Sequence, residues 1–276
     1  MHCVRWAVVI SLLSSCAAPD GNDQQISAVQ PATTASDSNV LHAHSFDFYQ
    51  SAEASRNIFV VDSDQSYADI VVRRGGRLKQ FGHDHVVTFR NLEGFLWKAS
   101  SGRGVQADLR IGLKPAEIDQ QAARETYRLD TDPSAADIES TARNLHVEVL
   151  DTERYPTAWL HVSSVERNTH QPTARVHLTL KEVERSFSLP VQLSDADHRQ
   201  TVSGHFVILQ SDFGIEPFSV LGGNLKVLDE LEVYFHVEFV ALAELQATRF
   251  THSLNPGPVI ARSNGYFPRT QESLKQ

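Results

Sequence analysis

Hydrophobic and polar residues alternate along most of the chain between residues 58 and 242. The clearest run is 231–239, where Leu, Val, Phe, Val and Phe alternate with Glu, Tyr, His and Glu. A period of two predicts β-strands that have one apolar face and one hydrated face. The same pattern occurs at 105–113 and 175–181, and in weaker form at 66–73, 86–95, 157–165, 185–191 and 202–209. This spacing predicts about eight or nine short strands.

Two segments in the middle of this region have a helical pattern instead. Residues 115–128 open with Pro-Ala-Glu and stay polar. Residues 134–149 place four apolar side chains on one helical face, at i, i+4, i+7 and i+11 from Ile138. Helices between all strands would indicate a parallel sheet, whereas helices confined to one interruption favour an antiparallel one. The sequence therefore predicts a mostly β fold, an antiparallel barrel with a short helical insertion.

The first sixteen residues have the pattern of an export signal. Arg5 precedes an apolar run at 6–13 that is too short to span a bilayer as a helix. The run ends in Leu-Ser-Ser-Cys, which resembles the lipobox of bacterial lipoproteins. We expect residues 1–15 to be a lipoprotein signal peptide and Cys16 to become the lipidated first residue of the mature protein. The alternative is that 6–13 is a buried element of a cytosolic protein.

The segments on either side of the alternating region lack its pattern. Residues 16–55 are rich in Ser, Thr, Ala, Gln, Asp and Asn, a composition typical of a flexible tether. Residues 247–276 carry proline and little periodicity, and we expect a peripheral or disordered tail. The predicted β-barrel domain covers residues 56–246. Ala17, directly after the cysteine, favours the periplasmic side of the outer membrane as the location.

The chain carries a formal net charge of -9. Removal of residues 1–15, whose only charged side chain is Arg5, would make the mature chain more acidic still. This charge excludes nucleic acid as an expected partner, because nucleic-acid binding needs basic patches. It also argues against electrostatic docking on anionic lipid. We therefore expect membrane attachment through the lipidated Cys16.

Four segments of the alternating region carry recognisable motifs. They are Phe-Gly-His-Asp-His at 81–85, the segment 151–165 with its Tyr-Pro, the paired strands of 177–193, and Ser-Asp-Phe-Gly-Ile at 211–215 with Asp-Glu at 229–230. In this order and spacing they resemble the YceI-like family of polyisoprenoid-binding proteins. Two departures are visible. Lys-Glu-Val-Glu-Arg at 181–185 replaces a turn in which the family usually has glycine, and Gln210 stands where the family often has arginine.

The resemblance implies an extended, eight-stranded, lipocalin-like barrel whose lumen holds a long isoprenoid lipid. An eight-stranded barrel can hold one small ligand when its inward residues do not fill it. The expected activity is non-enzymatic binding of a polyprenyl carrier or an isoprenoid quinone, with no cofactor besides that lipid. The residues expected to line the lumen are Leu109, Ile111, Leu160, Val162, Val176, Leu178, Phe187, Leu189, Phe206, Ile208, Phe235, Val237 and Phe239.

His83 and His85 are the most distinctive polar residues in the alternating region. At i and i+2 on an extended segment, their side chains share a face. They are interpreted as hydrogen-bonding residues at the barrel mouth, and a contact with the ligand headgroup is one alternative. A metal site is the other, although zinc normally needs three or four ligands.

Two further functions stay open at this point. One is a metal-dependent hydrolase or redox protein built on His83 and His85, and the other is a structural surface lipoprotein with a filled barrel. The sequence also leaves open whether the chain forms a homodimer.

Overall fold

The computed structural model describes residues 57–99, 104–167, 171–196 and 198–245. The predicted signal peptide, Cys16, the tether 16–55 and the tail 247–276 lie outside the described residues. Within the described ranges, no helix has the length and apolar character needed to cross a bilayer.

Thirteen strands form one sheet in the described part of the chain, and every pairing between them is antiparallel. The strands are β1 (Ile58–Val61), β2 (Tyr67–Gly75), β3 (His85–Phe89), β4 (Leu92–Lys98), β5 (Val105–Gly112), β6 (Glu117–Ile118), β7 (Thr157–Glu166), β8 (Thr173–Leu180), β9 (Val183–Pro190), β10 (Gln192–Ala196), β11 (Arg199–Leu209), β12 (Ser219–Val220) and β13 (Leu225–Ala241).

The long strand β13 organises the sheet. It pairs with β2 and β1 on one edge and with β11 and β12 on the other. From β1 the ladder continues through β4, β5, β7 and β8 to β9, and β10 pairs with β11 on the opposite branch. The chain passes from Pro190, at the end of β9, through the buried Val191 into β10. The sheet thus curves until β9, at one end, lies close to β10 and β11 at the other. The chain connects β9 directly to β10, but β9 forms no backbone pairing with β10 or β11 in the described part of the chain.

Close approach of β9 and β11 explains a glycine at this seam. A Cβ atom on Gly204 of β11 would lie 3.1 Å from the carbonyl oxygen of Pro190 and 3.0 Å from the Phe235 ring. A larger residue would require the Phe235 ring and the Pro190 carbonyl to shift by a few tenths of an ångström.

The predicted mostly β, antiparallel fold with few helices is confirmed. The expected number of eight strands differs from the thirteen observed. The run at 86–95 is two strands, β3 and β4, which are separated at Arg90 and Asn91. Strands β1, β6, β10 and β12 have two to five residues each, too few for alternation to reveal them.

The helical insertion lies between β6 and β7. It contains α1 (Gln121–Thr126), α2 (Ala135–Asn144) and a π-helical turn at Leu145–Val149. A capping box fixes the start of α2, since Ser134 and Asp137 each accept a hydrogen bond from the other's backbone amide. The prediction for 134–149 therefore agrees with the structure. The helix expected over 115–128 is confined to α1, because Glu117 and Ile118 instead pair with β3.

The alternation of β13 separates an inner from an outer face. Val233, Val237 and Phe239 are at least 93% buried inside the curved sheet. On the outer face, His236 stacks on Tyr67 of β2 with ring centroids 5.7 Å apart. The main hydrophobic core lies on the inner face, and it surrounds the cavity described next.

Candidate functional site

The inner face of the sheet encloses an elongated cavity of about 530 Å³. Much of its wall consists of alternate residues of β2, β3, β5, β7, β8, β11 and β13, since every second side chain of a strand lies on the same face. Along β13 the wall extends from Leu225 to Val237, with an irregularity in the pairing between Val227 and Leu231. At about 3.3 Å per residue this corresponds to at most about 40 Å of strand. The shape suits a long chain better than a compact ligand.

Most of the residues predicted for the lumen lie in this wall. They are Leu109, Ile111, Leu160, Val162, Val176, Leu178, Leu189, Phe206, Ile208, Phe235 and Val237. The alternative of a structural lipoprotein required a barrel filled by its own side chains. The cavity shows that the interior is not filled in this way.

Two predicted lumen residues, Phe187 and Phe239, do not line the cavity. Phe187 is buried behind the wall, where its ring packs 6.2 Å from Phe206 and 6.4 Å from Phe213. Phe239 lies beyond the end of the cavity and pairs with Val61 of β1. Alternation gives the face of a strand correctly, but it does not distinguish cavity wall from solid core on that face.

Several wall residues were missed at the sequence level. Ala68, Ile70 and Val72 of β2 line the cavity, and their alternation was a usable signal. Phe213 and Ile215 also line it, although they belong to an irregular turn and its exit rather than to a strand. The position of these two residues in the cavity wall depends on the tertiary fold, and no periodic pattern in the sequence indicates it.

The polar residues of the cavity wall are concentrated at one end. Helix α2 contributes Asp137, Ser140, Thr141 and Asn144, which share one helical face at i, i+3, i+4 and i+7. His83 and His85 line the same end, and Nε2 of His85 lies 3.4 Å from Oγ1 of Thr141. This polar face of α2 was also missed, although its spacing is visible in the sequence.

The two histidines have different surroundings. Nδ1 of His85 lies 2.6 Å from Oδ2 of Asp119, whose side chain is fully buried. His83 meets the ring of His85 edge-on at 6.1 Å. Both side chains therefore lie at the polar end of the cavity, where a carboxylate, that of Asp119, holds His85.

Asp119 is the centre of a charged hydrogen-bond network beneath this end of the cavity. Its carboxylate accepts from Nη1 of Arg124 at 2.6 Å and from the amide of Val86 at 3.0 Å, in addition to the contact with His85. Burial raises the pKa of Asp119, but these hydrogen bonds outweigh it and hold the pKa below its usual value. The carboxylate stays ionised and fixes the orientation of the imidazole.

The segment that resembles the C-terminal family motif closes the wall from another side. Gln210 is buried, and its Nε2 donates to the carbonyl of Leu228 at 2.8 Å. The Ser211 hydroxyl donates to Oδ2 of Asp229 at 2.5 Å. Both side chains tie the turn after β11 to β13. The turn positions Phe213 and Ile215 against the cavity.

In the four described ranges, no three His, Cys, Asp or Glu side chains are grouped in a way that could hold a metal ion. His83 and His85 thus have no third ligand of these types among the described residues.

Comparison with curated proteins gives no significant match. Among solved structures, the chain is similar to BcnA from Burkholderia cenocepacia, with 17% identity, a TM-score of 0.48, and coverage of 64% of this chain and 98% of that one. It is similar to a polyisoprenoid binding domain from Saccharophagus degradans, with 14% identity, a TM-score of 0.46, and coverage of 66% and 98%. A Campylobacter jejuni YceI protein matches with 13% identity, a TM-score of 0.38, and coverage of 55% and 82%.

The sequence itself matches a family model over most of its length. The matching model is that of the YceI-like domain, and the match spans residues 59–239, from β1 to near the end of β13. This segment contains the cavity wall and the helical insertion described above. The chain belongs to the YceI-like domain family.

Proposed function

We propose that the protein binds one long-chain polyisoprenoid, with its hydrocarbon chain in the cavity and its polar end at α2. The observation that carries this proposal is the polarity of the cavity wall. The wall is apolar along its length, and its titratable and hydroxyl-bearing side chains lie at one end. An amphiphile with one polar terminus matches this arrangement.

The free energy of binding would come from burial of the chain. Each methylene group removed from water contributes about 0.8 kcal/mol. A chain that follows the cavity would bury many such groups in a site that already exists. The elongated shape therefore favours a long apolar chain over a small polar metabolite.

The polar end of the cavity offers both donors and acceptors to a headgroup. With Nδ1 of His85 bonded to the ionised Asp119, the Nε2 nitrogen is left to face Thr141 and the cavity. Ser140 and Asn144 add a hydroxyl and an amide on the same helical face. These groups suit a hydroxyl, carbonyl or phosphate terminus.

The isoprenoid class of the ligand is inferred from the family resemblance of segments 81–85, 151–165 and 211–215. The role is binding without catalysis. The two residues that could suggest a hydrolase, Ser211 and Asp212, lie in a turn, and the Ser211 hydroxyl is engaged by Asp229. We further propose that Cys16 carries the lipid anchor, which would hold the protein at the periplasmic side of the outer membrane.

The experiment is extraction of bound lipid. The full chain, purified without detergent exchange, is extracted with organic solvent and the extract is analysed by mass spectrometry. A polyprenol, polyprenyl phosphate or isoprenoid quinone near one molecule per protein is expected. An extract with no lipid above that of a control protein purified in parallel contradicts the proposal.

The preference for an isoprenoid over a straight hydrocarbon chain in the ligand is tested separately with the delipidated protein. We expect tighter binding of geranylgeraniol than of a saturated straight-chain alcohol of equal carbon number. Equal affinities would show a general apolar tube, and tighter binding of the straight chain would exclude the isoprenoid assignment.

A further inference from the structure

We propose that the mouth of the cavity docks on an anionic phospholipid surface through a lip formed by residues 76–82 and 218–226. This inference rests on the proposed function in one respect, since the lip borders the cavity that would hold the lipid. The surface is a separate feature of the molecule, and its test is independent of cavity content.

The two segments of the lip form one continuous surface. The amide of Leu78 donates to the carbonyl of Asn224 at 2.8 Å. Lys226 pairs with Gly75 at the end of β2, and Val220 pairs with Leu225 across the β12–β13 turn. These bonds hold the two loops side by side at the end of β2.

The lip exposes large apolar side chains next to the cavity. In the described part of the chain, six large hydrophobic residues are exposed, and three of them belong to the lip: Phe81 at 71%, Leu221 at 65% and Val220 at 39%. Phe81 and Val220 also line the cavity. A cluster of exposed apolar residues beside an apolar cavity is typical of an interaction surface.

The backbone conformation at Leu221 is unfavourable and directs its side chain toward solvent. Leu221 has φ = 54°, a left-handed conformation that is unfavourable for leucine, and the following Gly222 and Gly223 also have positive φ. A Cβ atom on either glycine would meet open space. The strained turn thus holds the Leu221 side chain outward rather than against the sheet.

The charge of the lip is opposite to that of the whole chain. Its sixteen residues include Arg77, Lys79 and Lys226 and no acidic residue, whereas the chain carries -9. All three cations are exposed, and none takes part in an ion pair of the described residues. The overall charge argues against docking on anionic lipid, but the lip that borders the cavity carries three cations and no acidic residue.

Helix α2, which also lines the cavity, has a small charge of the opposite sign. It carries Asp137, Glu139 and Arg143, and Glu139 lies 3.6 Å from Arg143. An anionic surface would therefore attract the lip and not α2, and the molecule would dock with the lip against the headgroups. Exposed apolar side chains between basic residues are the composition of proteins that lie at a membrane interface.

The test is co-sedimentation with vesicles of phosphatidylcholine and phosphatidylglycerol. Every protein in the series is the full chain with Cys16→Ala, so that no acyl group contributes to binding. The lip variant carries Arg77→Gln, Lys79→Gln and Leu221→Asn. None of these residues lines the cavity. Asparagine tolerates the left-handed conformation at position 221.

A matched control makes the same kinds of change on the outer face near β7 and β8. It carries Arg167→Gln, Arg175→Gln and Trp159→Thr, which also remove two exposed cations and one exposed apolar side chain. Each Lys or Arg near an anionic membrane raises affinity about fivefold. We expect the lip variant to bind at least about tenfold more weakly than the parent, and the control to bind like the parent. High salt and pure phosphatidylcholine should weaken binding of the parent.

Three results would overturn the proposal: no vesicle binding by the parent, equal binding by the lip variant, or an equal loss in the control. A lip variant whose molar mass in solution falls to half would show instead that the lip joins two copies of the chain. Lipid extracted from the same preparations separates the two proposals. Loss of vesicle binding with bound lipid retained supports docking, while absence of bound lipid in all samples contradicts only the cavity proposal.

Discussion

Nδ1 of His85 lies 2.6 Å from Oδ2 of Asp119, and the Asp119 side chain is fully buried. One nitrogen of the imidazole is therefore held beneath the cavity, and the other faces Thr141 at the polar end. His83, two residues earlier, meets the His85 ring edge-on, and the two ring centroids are 6.1 Å apart. The two histidines of the Gly-His-Asp-His segment are thus unequal in their contribution to the fold.

Replacement of each histidine by alanine should reveal this difference. His85→Ala removes a hydrogen-bond partner of a buried carboxylate, and we expect it to lower the free energy of unfolding by about 1–2 kcal/mol. His83→Ala should change it by less than about 0.5 kcal/mol. Thermal unfolding followed by circular dichroism measures both. Equal losses would contradict the assignment. A stoichiometric metal in the wild type that the double alanine variant lacks would favour the metal-dependent alternative.

Asp119 should also contribute to unfolding by acid. Its pKa is lower in the folded protein than in the unfolded chain, so its ionised form stabilises the fold at pH above the usual aspartate value, about 3.9. That contribution is lost as the pH falls through the lowered pKa. Asp119→Asn keeps the shape and tolerates φ = 54°, but it removes the buried negative charge that pairs with Arg124. We expect a loss of about 3 kcal/mol at pH 7 that shrinks below about pH 4. A loss independent of pH would contradict this role.

The face of each long strand could be predicted from the sequence, because burial on one side imposes a period of two. Eleven of the thirteen predicted lumen residues line the cavity for this reason. Alternation cannot show whether an inward-facing residue borders the cavity or lies in packed core. That depends on strand register and on the neighbouring side chains. Phe187 and Phe239 therefore fall in solid core, although they lie on the predicted face.

The helical insertion shows the same limit. The apolar residues from Ile138 to Val149 predicted the helix correctly, but they gave no indication that the polar face of the same helix has a role. Asp137, Ser140 and Asn144 are polar on a helix near the surface, which is ordinary in a sequence. Only the fold shows that this face looks into a cavity.

The β8–β9 turn departs from the family by lacking glycine, and the structure shows the consequence. Lys181 and Glu182 both have positive φ, at 50° and 65°. Two-residue hairpin turns of this kind favour glycine, which adopts the conformation without steric cost. Glu182→Gly should therefore stabilise the protein by about 0.5–1 kcal/mol, measured by denaturant unfolding. Glu184→Gly, two residues later in β9, should destabilise it by about 1 kcal/mol. A stabilising effect of both changes would mean that turn strain is not the cause.

The anchor proposal has a simple test in cell fractions. Cys16→Ala removes the only thiol that lipidation could use after cleavage of residues 1–15, so the protein should move from the membrane pellet to a soluble pool. Cys3→Ala, within the expected signal peptide, should leave the protein in the pellet. Retention of the Cys16→Ala protein in the pellet after a salt wash would contradict lipid anchoring. The salt wash is needed because it removes attachment through the basic lip.

Val237 and His236 provide the sharpest test of the cavity, since they are neighbours on opposite faces of β13. Val237 is 6% exposed and lines the cavity, while His236 stacks on Tyr67 outside it. A carboxylate at position 237 would be buried without a partner, at a cost of about 3 kcal/mol or more unless water enters the cavity. Val237→Asp should therefore lower the thermal midpoint, expel the lipid, or do both.

His236→Asp supplies the matched control, because it places the same carboxylate on the same strand but in contact with water. It loses one ring contact, and we expect a change of less than about 1 kcal/mol and no loss of co-extracted lipid. Thermal midpoint and lipid content per protein are measured on both variants. If His236→Asp were the damaging change, the strand register would be inverted. Val237→Asp that retained both stability and lipid would rule out the cavity as the binding site, because an unpaired charge cannot share an apolar tube with a hydrocarbon chain.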